Sequence, residues 1–285
     1  MRVLLAEYAV GTSLEGGLLR EGKAMLETLA VSFRKAGCEV VTPRPGRFEQ
    51  DLERLAADSD YGLVIAPDEH LAYYTSIIED NTVNLGSSPD SVKLCADKLR
   101  TTEILSESGI AVADDAPSTR YVLKPRWGCG SEGIIVTDDP SILPEGFIRT
   151  RLIEGEHISV SLLRSPGGIT LPITINKQIV EITPRRIKYR GGVTPYFTPR
   201  ADEIVNAGMR AGEILGCSGY FGVDIVLADR PYIVDVNPRP TTSIIGINQV
   251  IDREIGGLIL DARLERLPES INIIEREVTY RLDEL

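Results

Sequence analysis

Two apolar runs, FGVDIVL (221–227) and YIVDVN (232–237), flank the short polar stretch ADRP. Apolar alternation around a compact turn predicts a β-hairpin over residues 221–236. If Leu227 faces Tyr232, Asp224 falls directly opposite Asp235, with Cβ atoms roughly 4.5–5.5 Å apart. Two ionised carboxylates that close repel each other unless a proton or a cation sits between them. Asn237, two residues beyond Asp235, projects from the same strand face and adds a neutral oxygen. Two carboxylates and an amide oxygen form a hard donor set suited to Mg2+ or Mn2+ shared with phosphates. The bland alternative leaves one aspartate in solvent and the other capping a turn.

A second stretch, YVLKPRWGCGSEGIIV (121–136), offers anion-binding chemistry. Pro125 holds Lys124 extended at the end of a strand. Gly128, Gly130 and Gly133 bracket Ser131 in a loop that returns to the strand Ile134–Val136. Glycine backbone lets N–H groups approach phosphate oxygens closely. The loop leads into a strand and lacks G-K-[ST], so it predicts a β-hairpin flap and not a P-loop. Cys129 within it reads as a small residue, since no histidine is near in sequence. Lys98 lies on the helix expected over Asp90–Ser108, capped by Asp90 and ended by Gly109. Residues 149–163, RTRLIEGEHISVSLL, carry acids and His157 ahead of an alternating strand.

The elements that must position these groups follow from periodicity. Val3–Ala6, Cys38–Thr42 and Gly62–Ala66 read as strands, with amphipathic helices over Glu21–Ala36 and Glu49–Ala57 between them. That alternation predicts a parallel sheet with helices on its faces. Short strands Tyr121–Lys124, Gly133–Thr137 and Phe147–Arg149 follow. Beyond His157 come longer strands, a helix over Ala201–Leu215 and the hairpin. The order is an open α/β unit, a small β-rich unit and a larger α+β unit.

Composition narrows the partners. The chain has 285 residues, a net charge of −11 and four widely spaced cysteines. An acidic balance argues against nucleic acid as the main partner. The cysteines form no C-x-x-C pair, which disfavours zinc or a disulfide framework and suggests a reducing compartment. The apolar start MRVLLAEYAV is too short for a signal peptide and is broken by Glu7. The expectation is a cytoplasmic protein acting on small molecules, without nucleic acid or membrane; its oligomeric state, a homodimer included, stays open.

In order, these stretches resemble the ATP-grasp superfamily of carboxylate–amine ligases, over roughly residues 90 to 250. The elements carrying the resemblance are Lys98, Lys124, the Gly128–Gly133 flap, the Leu152–Gly155 segment, Asp224 and Asp235-Val-Asn237-Pro-Arg239. The resemblance implies an α/β and α+β chain with the ATP-grasp fold. It would comprise an N-terminal Rossmann-like pre-ATP-grasp domain (1–89), a linker helix with a reduced β-rich lid (90–156) and a C-terminal α+β metal-binding subdomain (157–285). The lid should be reduced because only about a dozen residues separate Gly109 from Tyr121.

The resemblance further implies roles. Lys98 and Lys124 contact the ATP phosphates under a flap that includes Gly128, Gly130, Ser131 and Gly133. Arg151, Leu152, Ile153 and Glu154 lie at the adenine, and His157 or Glu156 at the ribose. Asp224, Asp235 and Asn237 hold Mg2+ or Mn2+, and Arg239 stabilises the transferring phosphoryl group. The implied chemistry is attack of a carboxylate on the γ-phosphate and displacement of the acyl phosphate by an amine. The stretches LLREGKAMLETL, LGSSPDSVKLCADK and IKYRGGVTP resemble more closely an archaeal-type branch whose reaction, in methanofuran biosynthesis, joins the γ-carboxyl of glutamate to tyramine. On that reading Lys188, with Arg190 and Gly191–Gly192, lies near the γ-phosphate and the glutamate. Other amino-acid ligases on the same scaffold (lysine or pyrrolysine-type biosynthesis) and a non-catalytic nucleotide-binding regulator are the alternatives.

Overall fold

The computed structural model describes residues 1–128, 133–139, 141–183 and 186–285. The chain opens with β1 (Arg2–Glu7), α1 (Tyr8–Gly11), α2 (Gly17–Lys35), β2 (Glu39–Val41), α3 (Phe48–Ala57), β3 (Tyr61–Ile65), α4 (Asp68–Asn81) and β4 (Val83–Asn84). The four strands form a parallel sheet in the order β2-β1-β3-β4. Met25, Leu29 and Phe33, four residues apart on α2, are buried against it. Gly37 ends that helix in a left-handed conformation, φ 86°, which a side chain would resist. Helix α2 starts at Gly17, four residues earlier than the apolar periodicity alone indicates.

The single helix expected over Asp90–Ser108 is two helices, α5 (Pro89–Ala96) and α6 (Lys98–Glu107). Ser88, not Asp90, caps α5, its hydroxyl accepting from Ser91 N at 3.3 Å with Pro89 in the first turn. Asp97 ends α5 and caps α6, accepting from Arg100 N. Its carboxylate is also gripped at both oxygens by Arg126, at 2.7 and 2.6 Å. A short polar side chain that can bond its own backbone competes with helix continuation, and here the competition is won by the cap. Lys98 therefore stands at the first position of a helix and not on its flank.

The β-rich unit is a three-stranded antiparallel sheet of β5 (Tyr121–Pro125), β6 (Ile135–Thr137) and β7 (Phe147–Arg151), in the order β6-β5-β7. It carries no α-helix among its described residues, as the short spacing before Tyr121 implied. The last unit contains β8 (Glu156–Arg164), β9 (Thr170–Thr183), β10 (Arg186–Thr194), α7 (Ala201–Ile214), β11 (Gly219–Leu227), β12 (Pro231–Asn237), α8 (Ile244–Val250), α9 (Ile255–Arg263) and β13 (Val278–Arg281). Its six-stranded antiparallel sheet runs β12-β11-β8-β9-β10-β13. Gly208 and Gly212 let α7 lie close on this sheet; a Cβ at Gly212 would come within 2.3 Å of the Phe221 ring.

One apolar core joins the first and last units. Val3, Leu5, Leu29 and Phe33 share it with Tyr220, Ile244, Ile247, Ile255 and Leu258. Burial of this kind, about 25 cal/mol per Å2 of apolar surface, ties α2 to α8 and α9. Residues of both large sheets and of the lid sheet line one cleft.

Candidate active site

The hairpin β11–β12 brings Asp224 opposite Asp235, but by a route the sequence does not show. The turn holds three residues, 228–230, so Leu227 pairs with Pro231 and Ile225 with Ile233. A β-bulge at Val234 then takes up one residue, and Asp224 meets Asp235. The shorter turn and the bulge cancel. The bulge leaves the Val234 carbonyl available, and it accepts from Lys124 Nζ at 2.6 Å.

Asp224 accepts from the side-chain amides of Gln178 (2.8 Å) and Asn237 (3.2 Å). Burial, with the charge of Asp235 added, pushes its carboxyl up to about 7, against those two hydrogen bonds. Lys98 Nζ lies 3.7 Å from Asp235 and 3.1 Å from Asp68, and it donates to the Gly128 carbonyl at the root of the flap. Arg239 Nη2 lies 3.8 Å from the other oxygen of Asp68. Burial pushes Asp68 up despite both cations, and it pushes the Lys124 ammonium down. Three cations and three carboxylates thus meet in one half-dry space, where charge interactions are far stronger than in bulk water.

The remaining candidates separate clearly. Arg151, Leu152, Ile153 and His157 line the same cleft, as do Lys98, Lys124, Gly128, Asp224, Asp235, Asn237 and Arg239. Burial lowers the His157 imidazole, favouring its neutral form. Glu156 faces away and accepts from the Tyr196 hydroxyl at 2.7 Å, so of the two ribose candidates His157 is the one at the cleft. Glu154 is exposed and outside the lining. Gly128 and Gly133 have φ 135° and 73°, conformations that favour glycine. Cys129, Gly130 and Ser131 lie outside the described residues.

Lys188 is a correction. It is exposed on β10, while its neighbours Ile187 and Tyr189 line the cleft. Strand alternation sends it to the other face. Arg190 is likewise exposed and paired with Glu181.

Sequence reasoning missed Asp68, Gln178, Glu7, Glu21 and Tyr189, all lining the cleft or bonded within it. Asp68, Gln178 and Glu7 come from elements remote from the motifs; Glu21 and Tyr189 lie within LLREGKAMLETL and IKYRGGVTP, but no local spacing marks them as cleft residues. Among the described residues no three His, Cys, Asp or Glu side chains cluster as a metal cage. The donor set is two opposed carboxylates and the Asn237 amide. An uncompensated carboxyl at about 7 facing a second carboxylate fits a divalent cation held jointly with phosphate oxygens.

Comparison with known proteins identifies the family. The ATP-grasp domain family matches residues 95–243. Tyramine–L-glutamate ligase of Methanocaldococcus fervens is 31% identical over 274 residues, spanning 86% of this chain and 89% of that one. The ligase of the same name from Methanocaldococcus jannaschii is 29% identical over 86% of this chain and 84% of its own. The structure of an Archaeoglobus fulgidus protein described as ATP-grasp superfamily superposes with TM-score 0.81 at 26% identity, covering 99% of this chain and 92% of that one. D-alanine–D-alanine ligase from Bacillus anthracis complexed with ATP shares the fold at TM-score 0.62 and 22% identity, covering 84% of this chain and 86% of its own. The chain belongs to the ATP-grasp family and is an ATP-dependent carboxylate–amine ligase.

Proposed function

We propose that the enzyme joins the γ-carboxylate of L-glutamate to the amine of tyramine, with ATP as the activating substrate. Two relatives bearing that activity in their names, each matched over most of both chains, support the substrate pair. The observation that carries the site is the convergence of Lys98 and Lys124 on the Asp224–Asp235 hairpin, with Arg239 beside Asp68, the other carboxylate that Lys98 contacts.

Roles follow from chemistry. Lys98 and Lys124 hold the phosphates beneath the flap rooted at Gly128 and Gly133. Arg151, Leu152, Ile153 and His157 face the nucleoside. Asp224, Asp235 and Asn237 hold a divalent cation, Mg2+ or Mn2+, which supplies charge neutralisation for the phosphates when bound. A glutamate carboxylate oxygen bonds to the γ-phosphorus as the bond to the ADP oxygen breaks. Arg239 stabilises charge spreading over the transferring phosphoryl group. The amine nitrogen then bonds to the acyl carbon, phosphate leaves with the electron pair of the broken C–O bond, and the nitrogen sheds a proton. Lys188 has no part, given its exposure on the far strand face.

Incubation with ATP, Mg2+, glutamate and tyramine should release ADP, phosphate and the γ-amide in equal amounts. ADP formation without amide from this pair would overturn the reading.

A further inference from the structure

One wall of the cleft has no part in the phosphate chemistry. Leu18, Glu21, Gly22 and Met25 recur at helical spacing on α2, and Leu18, Glu21 and Met25 face the cleft beside Leu14 and Leu282. Gly22 is required there: a Cβ would stand 2.4 Å from the Glu7 carboxylate, which packs against the helix at that point. Glu7 is only 5% exposed, yet it lines the cleft. Its Oε2 accepts from Val10 N at 2.7 Å, and Glu21 accepts from the Thr242 hydroxyl. Neither carboxylate forms an ion pair among the described residues; Glu7, raised by burial, feels the charge of Arg239, which favours its ionised form, and more weakly that of Glu21, which opposes it. Leu18, 40% exposed, leaves apolar surface open to the same space.

We propose that this α2 wall is the amine-substrate pocket, taking a primary ammonium at Glu7 and Glu21 and an uncharged apolar body along Leu14, Leu18 and Met25. The inference rests on the ligase reading above and adds a rule of selection to it. An ammonium brings three donors and a positive charge to two carboxylates that have no ion-pair partner among the described residues. An α-amino acid would bring its own carboxylate to the same two acids, and like charges in a desolvated site repel. The pocket therefore separates an amine from the amino acid of the same side chain, tyramine from tyrosine. An apolar body also covers Leu18, removing its surface from water.

The test is direct binding to the full-length protein, titrating tyramine, tyrosine and 4-ethylphenol separately. Tyramine should bind about tenfold or more tighter than either of the others, because each lacks the ammonium or adds a carboxylate. Glu21→Gln should weaken tyramine about tenfold and narrow its lead over tyrosine. Leu18→Ala should weaken tyramine about threefold and keep that lead, since it removes apolar contact alone. The proposal is overturned if tyrosine or 4-ethylphenol matches tyramine on the wild-type protein, or if both variants, with melting curves unchanged, bind tyramine as before. Should Glu21→Gln fail to fold, the wild-type ranking and Leu18→Ala decide. A separate assay replaces the amine with hydroxylamine and measures glutamate-dependent hydroxamate. Absence of hydroxamate with the ranking intact sinks the ligase reading and keeps the pocket. Hydroxamate with a flat ranking sinks the pocket and keeps the ligase.

Discussion

Asp51 and Asp224 are both carboxylates drawn out of bulk water, in opposite halves of the molecule and in opposite electrostatic condition. Asp51, on α3, is 1% exposed and is gripped by Arg44 through Nε (2.8 Å) and Nη2 (2.7 Å). Arg44 N and Arg54 add further donors. Those hydrogen bonds hold its carboxyl below the usual range. Asp224, on β11, receives two neutral amides and faces Asp235, and it is pushed up to about 7. A guanidinium fork completes the first carboxylate as structure. The second is left incomplete within reach of a nucleotide's cation. Incompleteness, more than burial, distinguishes the working carboxylate from the structural one.

The contrast breaks or holds most sharply on paired substitutions. Asp235→Asn should lower kcat about 1,000-fold or more, since it removes an anionic ligand from the phosphate cation site. Its melting temperature should stay level or rise, because one of two opposed charges is gone. Asp51→Asn should do the reverse, lowering the melting temperature while kcat per folded molecule is kept. Melting curves and ADP release on both proteins check this. An unfolded Asp235→Asn variant would mark the hairpin acids as structural and collapse the distinction.

Acidity sharpens the same contrast. The folded-state value of Asp224, about 7, lies above its ordinary 3.8. Its contribution to the stability of the metal-free protein is thus full below 3.8, declines as pH rises from there, and is lost above about 7. Asp51 runs the other way: its contribution is present above 3.8 and is lost as pH falls below it. Binding of the divalent cation needs Asp224 ionised, so affinity for Mg2+–ATP should fall by up to about tenfold per pH unit below 7. Asp224→Asn should flatten both the stability slope between pH 4 and 7 and the affinity slope. Unchanged slopes in that variant would show that another group carries them.

The legible parts of the fold were those with local causes. The β1–α2–β2–α3–β3 alternation is written in apolar spacing, and the opposed aspartates in the pattern of two adjacent runs. The route to that opposition was not legible. A turn one residue shorter and a bulge at Val234 leave no mark in YIVDVN; they show only in the strand pairing and in the Lys124 bond to the Val234 carbonyl that the bulge frees. The break at Asp97 was hidden for a related reason. Its cap is reinforced by Arg126, 29 positions away, which periodicity does not sense. Asp68, Gln178 and Glu21 enter the cleft from α4, β9 and α2, so only the tertiary arrangement reveals them.

The finest comparison lies between two neighbouring strands of the large sheet. Gln178 on β9 reaches across to Asp224, whereas Lys188 on β10 projects from the outward face. Gln178→Leu removes one amide donor that steadies Asp224 in its ionised form, so the apparent affinity for Mg2+ should fall about tenfold. Lys188→Ala removes an exposed cation paired across the strands with Glu181 in register, away from the cleft. Screened surface charge at that distance contributes little, and kcat and the KM for ATP should both stay within about twofold of the wild type. Steady-state kinetics with Mg2+ titrations on the two variants measure both effects. A Lys188→Ala enzyme as impaired as Gln178→Leu would mean that β10 turns its outer face inward during turnover. The distinction between a cleft-facing polar residue and an outward-facing one would then no longer follow from strand alternation.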